Sequence, residues 1–264
     1  REEILPIVRR IARTVPEFPP YQHLLGHFEW RCGNHALAEA ALKRASDLYN
    51  THVGRHALSI HESDGWIRSP LYLASAMQSR GKFEDAMAIA NQLSGLDVDP
   101  ARLGSKGASL LMWEARTLPV RLFIARGERG DFARAIASLP EKDDPFLGKT
   151  KDRTLSVFYL ESLMQYLECR RALEEKRMND AENKALALSS IQKRMEELKS
   201  QAMKSASISE YVRALSAMKV YAAEARGLVA LERATSKPQR QIARSWFKTA
   251  IDKQQRPALL MPPV

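Results

Sequence analysis

Apolar residues recur along this chain at intervals of three and four positions, the spacing that places side chains on one face of an α-helix. The first predicted helix covers residues 3–14 and ends before a cluster of prolines. Its expected inward-facing stripe consists of Ile4, Ile7, Val8 and Ile11. No stretch alternates apolar and polar residues over the length of a β-strand. The pattern therefore predicts an all-α fold.

The segment 20–50 predicts two helices that fold back on each other around a break at Gly33-Asn34. At helical spacing, Leu24, Leu25 and Phe28 precede the break, and Ala36, Ala40 and Ala41 follow it. Asn34 is expected to cap the second helix, because a short polar side chain at that position can accept a hydrogen bond from a free backbone N–H group. Two helices joined in this way form an αα-hairpin.

Large apolar residues and small residues stand at fixed intervals within this hairpin, and the same intervals recur in two later segments. The first set is Leu25, Gly26, Gly33, Ala38, Leu42 and Ala45. The second set, in 66–94, is Leu73, Ala74, Gly81, Ala86, Ala90 and Leu93. The third set, in 106–139, is Leu122, Phe123, Gly130, Ala135 and Leu139. Because residues without bulk let two helices approach closely, we expect each segment to form a tightly packed helix pair.

This spacing resembles the tetratricopeptide repeat (TPR) family, except that Glu29 stands where the family usually has an aromatic residue. Alanines in the family's marker place stand at 38, 86, 135, 185 and 243, with separations of 48, 49, 50 and 58 residues. These separations exceed the standard repeat of about 34 residues and indicate a diverged array. The resemblance implies a TPR-like αα superhelix, a right-handed solenoid of antiparallel helix pairs, that holds a protein or peptide in its concave groove.

A loop with Pro140 and Asp143-Asp144-Pro145 is the predicted boundary between two parts of one solenoid. Residues 1–140 are expected to hold the leading helix and the repeat pairs at 20–50, 66–94 and 106–139. Residues 146–256 are expected to hold longer helices at 152–178, 180–204 and 207–234, then a last helix that opens at Ser236 and Pro238 and that Pro257 closes. Ser207 and Glu210 form a candidate capping box for the third long helix.

The composition is that of an ordinary globular protein, with 264 residues of which 45% are hydrophobic and 27% charged. No apolar run approaches about 18 residues, so no membrane span is expected. Cys32 and Cys169 lie far apart without a CxxC spacing, which predicts two buried thiols and no disulfide framework. The chain begins at Arg1 without a signal-peptide pattern, so we expect part of a larger chain or complex whose targeting segment has been removed. The sequence does not identify the cellular compartment, and a cytoplasmic location is slightly favoured.

The net charge of +10 is concentrated toward the C-terminal end, where residues 205–264 hold ten Lys or Arg against four Asp or Glu. A basic surface of this kind attracts RNA, DNA, anionic lipid or an acidic peptide. The sequence lacks the interleaved aromatic residues and Gly-rich loops of many nucleic-acid sites, which favours a solvated basic surface. Binding of nucleic acid or another anionic partner by this end is an alternative function.

All six histidines lie within 39 consecutive residues, at positions 23, 27, 35, 52, 56 and 61. An i, i+4 spacing places two imidazoles on one helical face, as a zinc or other transition-metal site requires. The pairs with this spacing are His23 with His27 and His52 with His56. No HExxH motif accompanies them, and histidines packed between helices show the same spacing. A metal site is therefore the alternative hypothesis for this cluster, and no cofactor is expected.

The resemblance also implies which residues line the concave groove, because the first helix of each pair faces the groove in the family. The matching residues here are His23, His27, Trp30, Arg31, Arg68 and Gln78. Imidazole, indole and guanidinium groups there can hold an extended peptide or an acidic segment. Protonation of His23 and His27 below about pH 6 is expected to raise the affinity for anions.

The sequence carries no signature of catalysis. GxSxG, GxxxxGK[ST] and GxGxxG motifs do not occur in it. The paired acids Glu174-Glu175 and Glu196-Glu197 are neighbours on predicted helices, where adjacent side chains point about 100° apart. Two such carboxylates cannot flank one bond as general acid and base. We therefore expect a non-catalytic scaffold.

Overall fold

The computed structural model describes residues 3–140, 153–202 and 208–254, and the regular elements among them are all helical. The first helices are α1 (Leu5–Thr14), α2 (Pro19–Arg31), α3 (His35–Arg55), α4 (Asp64–Ser79), α5 (Phe83–Ser94), α6 (Lys106–Leu110) and α7 (Leu118–Arg126). The later ones are α8 (Asp131–Ala137), α9 (Arg153–Glu174), α10 (Met178–Ala202), α11 (Ile208–Glu232) and α12 (Lys237–Gln254). The all-α prediction is confirmed for these residues.

Two compact units make up the chain, Arg1–Arg126 and Gly127–Val264. Within the first unit the helices pack mainly on their neighbours in sequence, and α2 also contacts α4. Within the second unit the same holds, and α9 also contacts α11. The division falls ahead of the predicted boundary, whose residues 141–145 lie outside the described part of the chain. That boundary, and the continuation of one solenoid across it, stay predictions.

The close approach of α2 and α3 depends on Gly26. A β-carbon at this position would stand 2.4 Å from Leu42 Cγ and 3.2 Å from the carbonyl oxygen of Ala38. Ordinary contacts between carbon atoms are about 3.5 to 4.0 Å, so no side chain fits there. Ala38, Leu42 and Ala45 are fully buried around it. The predicted tight packing of this helix pair is confirmed.

The turn inside a helix pair recurs with one backbone geometry. Gly33 and Gly81 occupy the left-handed region, with φ of 81° and 74°. In both turns the N–H of the following residue donates to the carbonyl oxygen five residues earlier, which is a Schellman turn. Lys176, between α9 and α10, has φ of 59°, and the residue after it makes the same hydrogen bond. The same turn is therefore present in both units.

A fully buried alanine follows each of these three left-handed residues by five positions, at Ala38, Ala86 and Ala181. The sequence predicted Ala185 as the marker of the fourth pair, and the turn geometry assigns that place to Ala181 instead. Ala185 is buried one helical turn later. The predicted markers of the third and fifth pairs, Ala135 and Ala243, are also buried.

Glu29, the residue that departs from the repeat pattern, is buried and pairs with α1. Arg9 donates from Nε and Nη2 to its two carboxylate oxygens, at 2.6 and 2.8 Å. Asn34 occupies the predicted N-cap position, but its Nδ2 donates to Glu29 at 2.7 Å and its side chain does not cap α3. Burial alone would raise the pKa of the Glu29 carboxyl, and the hydrogen bonds from Arg9 and Asn34 bring it below its usual value.

The face of α1 that points inward differs from the predicted stripe. Leu5, Val8 and Ala12 are buried, whereas Ile4 and Ile7 are 47% and 50% exposed. Arg9, the residue after Val8, is partly exposed and pairs with the buried carboxylate of Glu29 on α2.

The last helix begins near its predicted start, since α12 opens at Lys237. Its predicted end at Pro257 lies outside the described residues, as do Ser207 and the side chain of Glu210, on which the candidate capping box depends. Among the described helices, none combines the length and the apolar character that crossing a membrane requires.

Candidate binding site

His23 and His27 lie where α2 packs on α4, and both rings contact Tyr72. The ring centroids are 5.1 and 5.4 Å from that of Tyr72, with edge-to-face geometry. His23 Nδ1 lies 3.1 Å from Ser69 Oγ, and Ser69 donates its own proton to the carbonyl of Gly65. The His23 ring is therefore the donor to Ser69. Both histidines take part in helix packing.

The surroundings of His23 keep its ring neutral. Burial, with the neighbouring His27 and Arg68, lowers the pKa of His23 to about 4, although Asp64 acts in the opposite direction. The ring is then uncharged at pH values where an ordinary histidine is protonated. The lowered pKa opposes the protonation of His23 below about pH 6 on which the predicted rise in anion affinity depends, and the affinity itself stays a prediction.

The other predicted groove residues are also largely covered. Trp30 is buried, and its Nε1 donates to Ser79 Oγ at 3.1 Å. Arg68 is 15% exposed and lies beside the carboxylate four positions earlier. Arg31 and Gln78 are half-buried. Their role in partner binding stays a prediction, but much of the surface that it requires is used for packing within the unit.

The predicted metal ligands occur as pairs. The rings of His52 and His56 lie 4.8 Å apart near the end of α3. His61 is buried, and its Nε2 accepts a hydrogen bond from the Asp99 N–H at 3.0 Å. Among the described residues, which include all six histidines, no three His, Cys, Asp or Glu side chains converge as a metal site requires. Each histidine pair would therefore need a third ligand, which the described residues do not place beside it.

A cleft of about 480 Å³ opens between α10, α11 and α12 in the second unit. Ser189, Gln192 and Glu196 line it from α10, Lys219, Ala222, Ala223 and Arg226 from α11, and Trp246, Thr249 and Lys253 from α12. Binding sites are typically concave and combine apolar walls with a few converging polar groups. This cleft has both features, which makes it the candidate binding site.

Small residues on α11 make room for the cleft. Ala222 and Ala223 are buried at its floor, and the ring of Trp246 packs against the core beside Ala223. Farther along α11, a β-carbon on Gly227 would stand 2.8 Å from the ring of Phe247. Gly227 therefore allows α12 to lie close to α11, while the two alanines leave space above them.

Positive charge predominates among the described residues of the cleft walls, where Lys219, Arg226 and Lys253 stand with one carboxylate, that of Glu196. Lys219 Nζ donates to Glu196 Oε2. This hydrogen bond, with the attraction of Lys219, Lys199 and Lys253, holds the pKa of the Glu196 carboxyl below its usual value. The side chains of Lys219 and Glu196 are 23% and 44% exposed, so both are accessible to a ligand. Three cations against one anion leave an excess of two positive charges.

An indole closes one end of the cleft. The guanidinium of Arg226 lies 4.8 Å from the ring centroid of Trp246, in cation–π geometry. Lys219 precedes Arg226 by two helical turns, so their α-carbons are about 10 Å apart along the axis of α11. A ligand in the cleft would meet apolar surface on the indole and the alanines and positive charge from both residues.

Sequence reasoning missed every residue of this cleft as a binding residue and pointed only to the excess of Lys and Arg in 205–264. A sharper signal was present. Lys219 and Arg226 are seven residues apart, as are Trp246 and Lys253, which places each pair on one helical face. Alanine or threonine lies between the members of each pair. Two successive helices with large polar or aromatic residues around small ones indicate an open cleft.

No family model, no curated protein and no solved structure matches the chain.

Proposed function

We propose that this chain is a non-catalytic, TPR-like helical repeat scaffold that binds an acidic segment of a protein partner in the cleft between α10, α11 and α12. The observation that carries the proposal is the convergence of Lys219, Arg226 and Lys253 on one cleft beside the indole of Trp246. Partly exposed cations on an apolar floor are suited to carboxylates carried by a flexible chain.

The recurring helix pair supports the scaffold part of the proposal. The Schellman turns at Gly33, Gly81 and Lys176 have one geometry and are each followed by a buried alanine. Contacts of α2 with α4, and of α9 with α11, are those that stacked helix pairs make with the next pair. A repeat of this kind offers surfaces for chains in extended conformation.

Isothermal titration calorimetry tests the proposal with two short peptides, one in which Glu alternates with Ser and one with Gln in place of Glu. The Glu peptide should bind and the Gln peptide should not. Lys253→Met should weaken binding by about fivefold, because a partly exposed charge contact contributes about 1 kcal/mol.

Lys248→Met is the matched control, since Lys248 is exposed on the same helix outside the cleft and its removal changes the net charge equally. It should leave the affinity unchanged. Equal loss in the two variants would mean that the peptide responds to overall charge, and the cleft would not be the site.

A second candidate function, nucleic-acid binding, is favoured by one observation on α12. Lys237, Arg240, Arg244 and Lys248 are all exposed and share one helical face. Among the described residues, no carboxylate forms an ion pair with any of the four. A line of positively charged side chains can contact successive phosphates of a nucleic-acid strand.

Fluorescence anisotropy with single-stranded RNA and DNA tests this candidate. Binding that weakens steeply with salt, and that is lost in the Arg240→Gln, Arg244→Gln double variant, would support it. If neither RNA nor DNA shows an increase in anisotropy at low ionic strength, nucleic-acid binding is ruled out as the function.

A further inference from the structure

The cleft already holds a carboxylate of its own. Glu196 reaches from α10 to Lys219 on α11 and is the one acidic residue in the part of the lining that the structure describes. Lys199 and Lys253 are also near enough to affect its ionisation. Cations from three helices thus surround a group with the same chemistry as the side chain of an acidic peptide.

This ion pair is not what holds the two helices together. Met195 of α10 and Met218 of α11 are fully buried, and Tyr211 donates from its hydroxyl to the carbonyl oxygen of Met195 at 2.8 Å. Glu196 and Lys219 are partly exposed, and ion pairs in such positions contribute little to stability. Breaking the pair therefore leaves the walls of the cleft in place.

We propose that a carboxylate of the bound segment replaces Glu196 on Lys219, which makes Glu196 an internal competitor and restricts the site to segments with neighbouring acidic residues. A ligand with one carboxylate gains an interaction with Lys219, but Glu196 loses an equivalent interaction with the same lysine. The exchange therefore contributes little to the affinity. A ligand with a second carboxylate adds an interaction with Lys253 or Arg226, which no carboxylate of the lining neutralises directly. This inference rests on the proposed function and specifies its ligand.

Calorimetry with two otherwise identical peptides, one carrying a single Glu and one carrying two, tests the inference on wild type and two variants. Glu196→Gln removes the competitor, and Glu197→Gln is its matched control. Glu197 is the next residue, 63% exposed, and pairs with Lys193 at 4.0 Å outside the cleft. Both variants raise the net charge by one, and Gln at 196 still accepts a hydrogen bond from Lys219. Thermal unfolding checks that both fold as wild type does.

Wild type should bind the peptide with two Glu and bind the peptide with one Glu weakly. Glu196→Gln should tighten binding of the single-Glu peptide by up to about fivefold, the contribution expected of one partly exposed charge contact. Glu197→Gln should change it less than twofold. Equal effects of the two variants, or weaker binding in Glu196→Gln, would overturn the inference while the proposed function stands. No binding of either peptide to any of the three proteins would remove both.

Discussion

Replacing Gly26 with alanine should destabilise the first unit, although alanine is the better helix former. The new β-carbon would stand 2.4 Å from Leu42 Cγ, 2.9 Å from its Cδ2 and 3.2 Å from the carbonyl oxygen of Ala38. Restoring ordinary contacts of about 3.5 Å requires a displacement of about 1 Å. Leu42 is fully buried and cannot swing into solvent.

Forcing an extra carbon into a packed core costs about 3 kcal/mol at the upper end of the usual range. Alanine returns about 1 kcal/mol through its helix propensity. The expected net loss is therefore about 2 kcal/mol, measured by urea unfolding followed by circular dichroism.

Gly54→Ala is the matched control, because Gly54 lies in α3 and a β-carbon there would meet no atom within 4 Å. It should stabilise by up to about 1 kcal/mol through helix propensity alone. The same substitution should thus have opposite signs at the two positions.

A double variant tests the cause. Leu42→Ala alone should cost about 2 to 5 kcal/mol by leaving a cavity. Combined with Gly26→Ala it should cost less than the sum of the two changes, because the added methyl group then has room. Additive costs, or a Gly26→Ala protein as stable as Gly54→Ala, would refute the close contact as the reason for glycine at this position.

Three further predictions concern buried groups. Between pH 6.5 and about 4, wild type should lose up to about 3 kcal/mol of unfolding free energy relative to His23→Gln, because the unfolded histidine binds a proton that the folded one excludes; parallel stability curves would contradict this. Arg9→Met should lower the midpoint of thermal unfolding by leaving the Glu29 carboxylate with the hydrogen bond from Asn34 but without its cation, and adding Glu29→Gln should restore most of the loss; a loss that the second change leaves unaltered would mean that Arg9 acts by packing alone. Ellman's reagent should modify the half-buried Cys32 in the native chain and Cys169 only after unfolding, since burial raises the pKa of Cys169 to about 11; two rapidly reacting thiols would disprove it.

The helix pairs could be predicted because their signals are local in sequence. Gly33 and Gly81 are needed for a left-handed turn, and glycine adopts that conformation at little cost. The equivalent turn at Lys176 carries no such mark, because a non-glycine residue with positive φ is uncommon and is held there by the surrounding structure. The sequence pattern therefore indicates Ala185, whereas the alanine five positions after the turn is Ala181, one helical turn earlier.

The candidate binding residues could not be predicted because exposure depends on how helices are rotated against each other. His23 has the sequence position of a groove residue, yet Tyr72 on another helix covers its ring. Similarly, Arg9 of α1 pairs with the buried Glu29 of α2, a contact between distant residues that the periodicity of α1 does not reveal. Periodicity locates a helical stripe but does not say which distant side chain will cover it.

The cleft could not be predicted from the sequence for the same reason, because its residues come from three helices. Lys219 and Trp246 look like ordinary surface and core residues when each helix is considered alone. The seven-residue spacing of Lys219 with Arg226 and of Trp246 with Lys253 is visible in the sequence, but it does not show that the three helices leave an opening between them. The small residues of α11 leave that opening beside the positive charge.

Binding of an acidic segment in the cleft between α10, α11 and α12 should change the surroundings of Trp246, which its indole N–H signal reports. The chain has four tryptophans, and their indole signals can be followed together by nuclear magnetic resonance while the alternating Glu peptide is added. Trp246→Phe assigns its signal, and the fully buried Trp113 of the first unit serves as an internal reference. The Trp246 signal should shift progressively to saturation, with that of Trp113 unmoved. An unchanged Trp246 signal at saturating peptide, or a shift confined to Trp30, would contradict the claim.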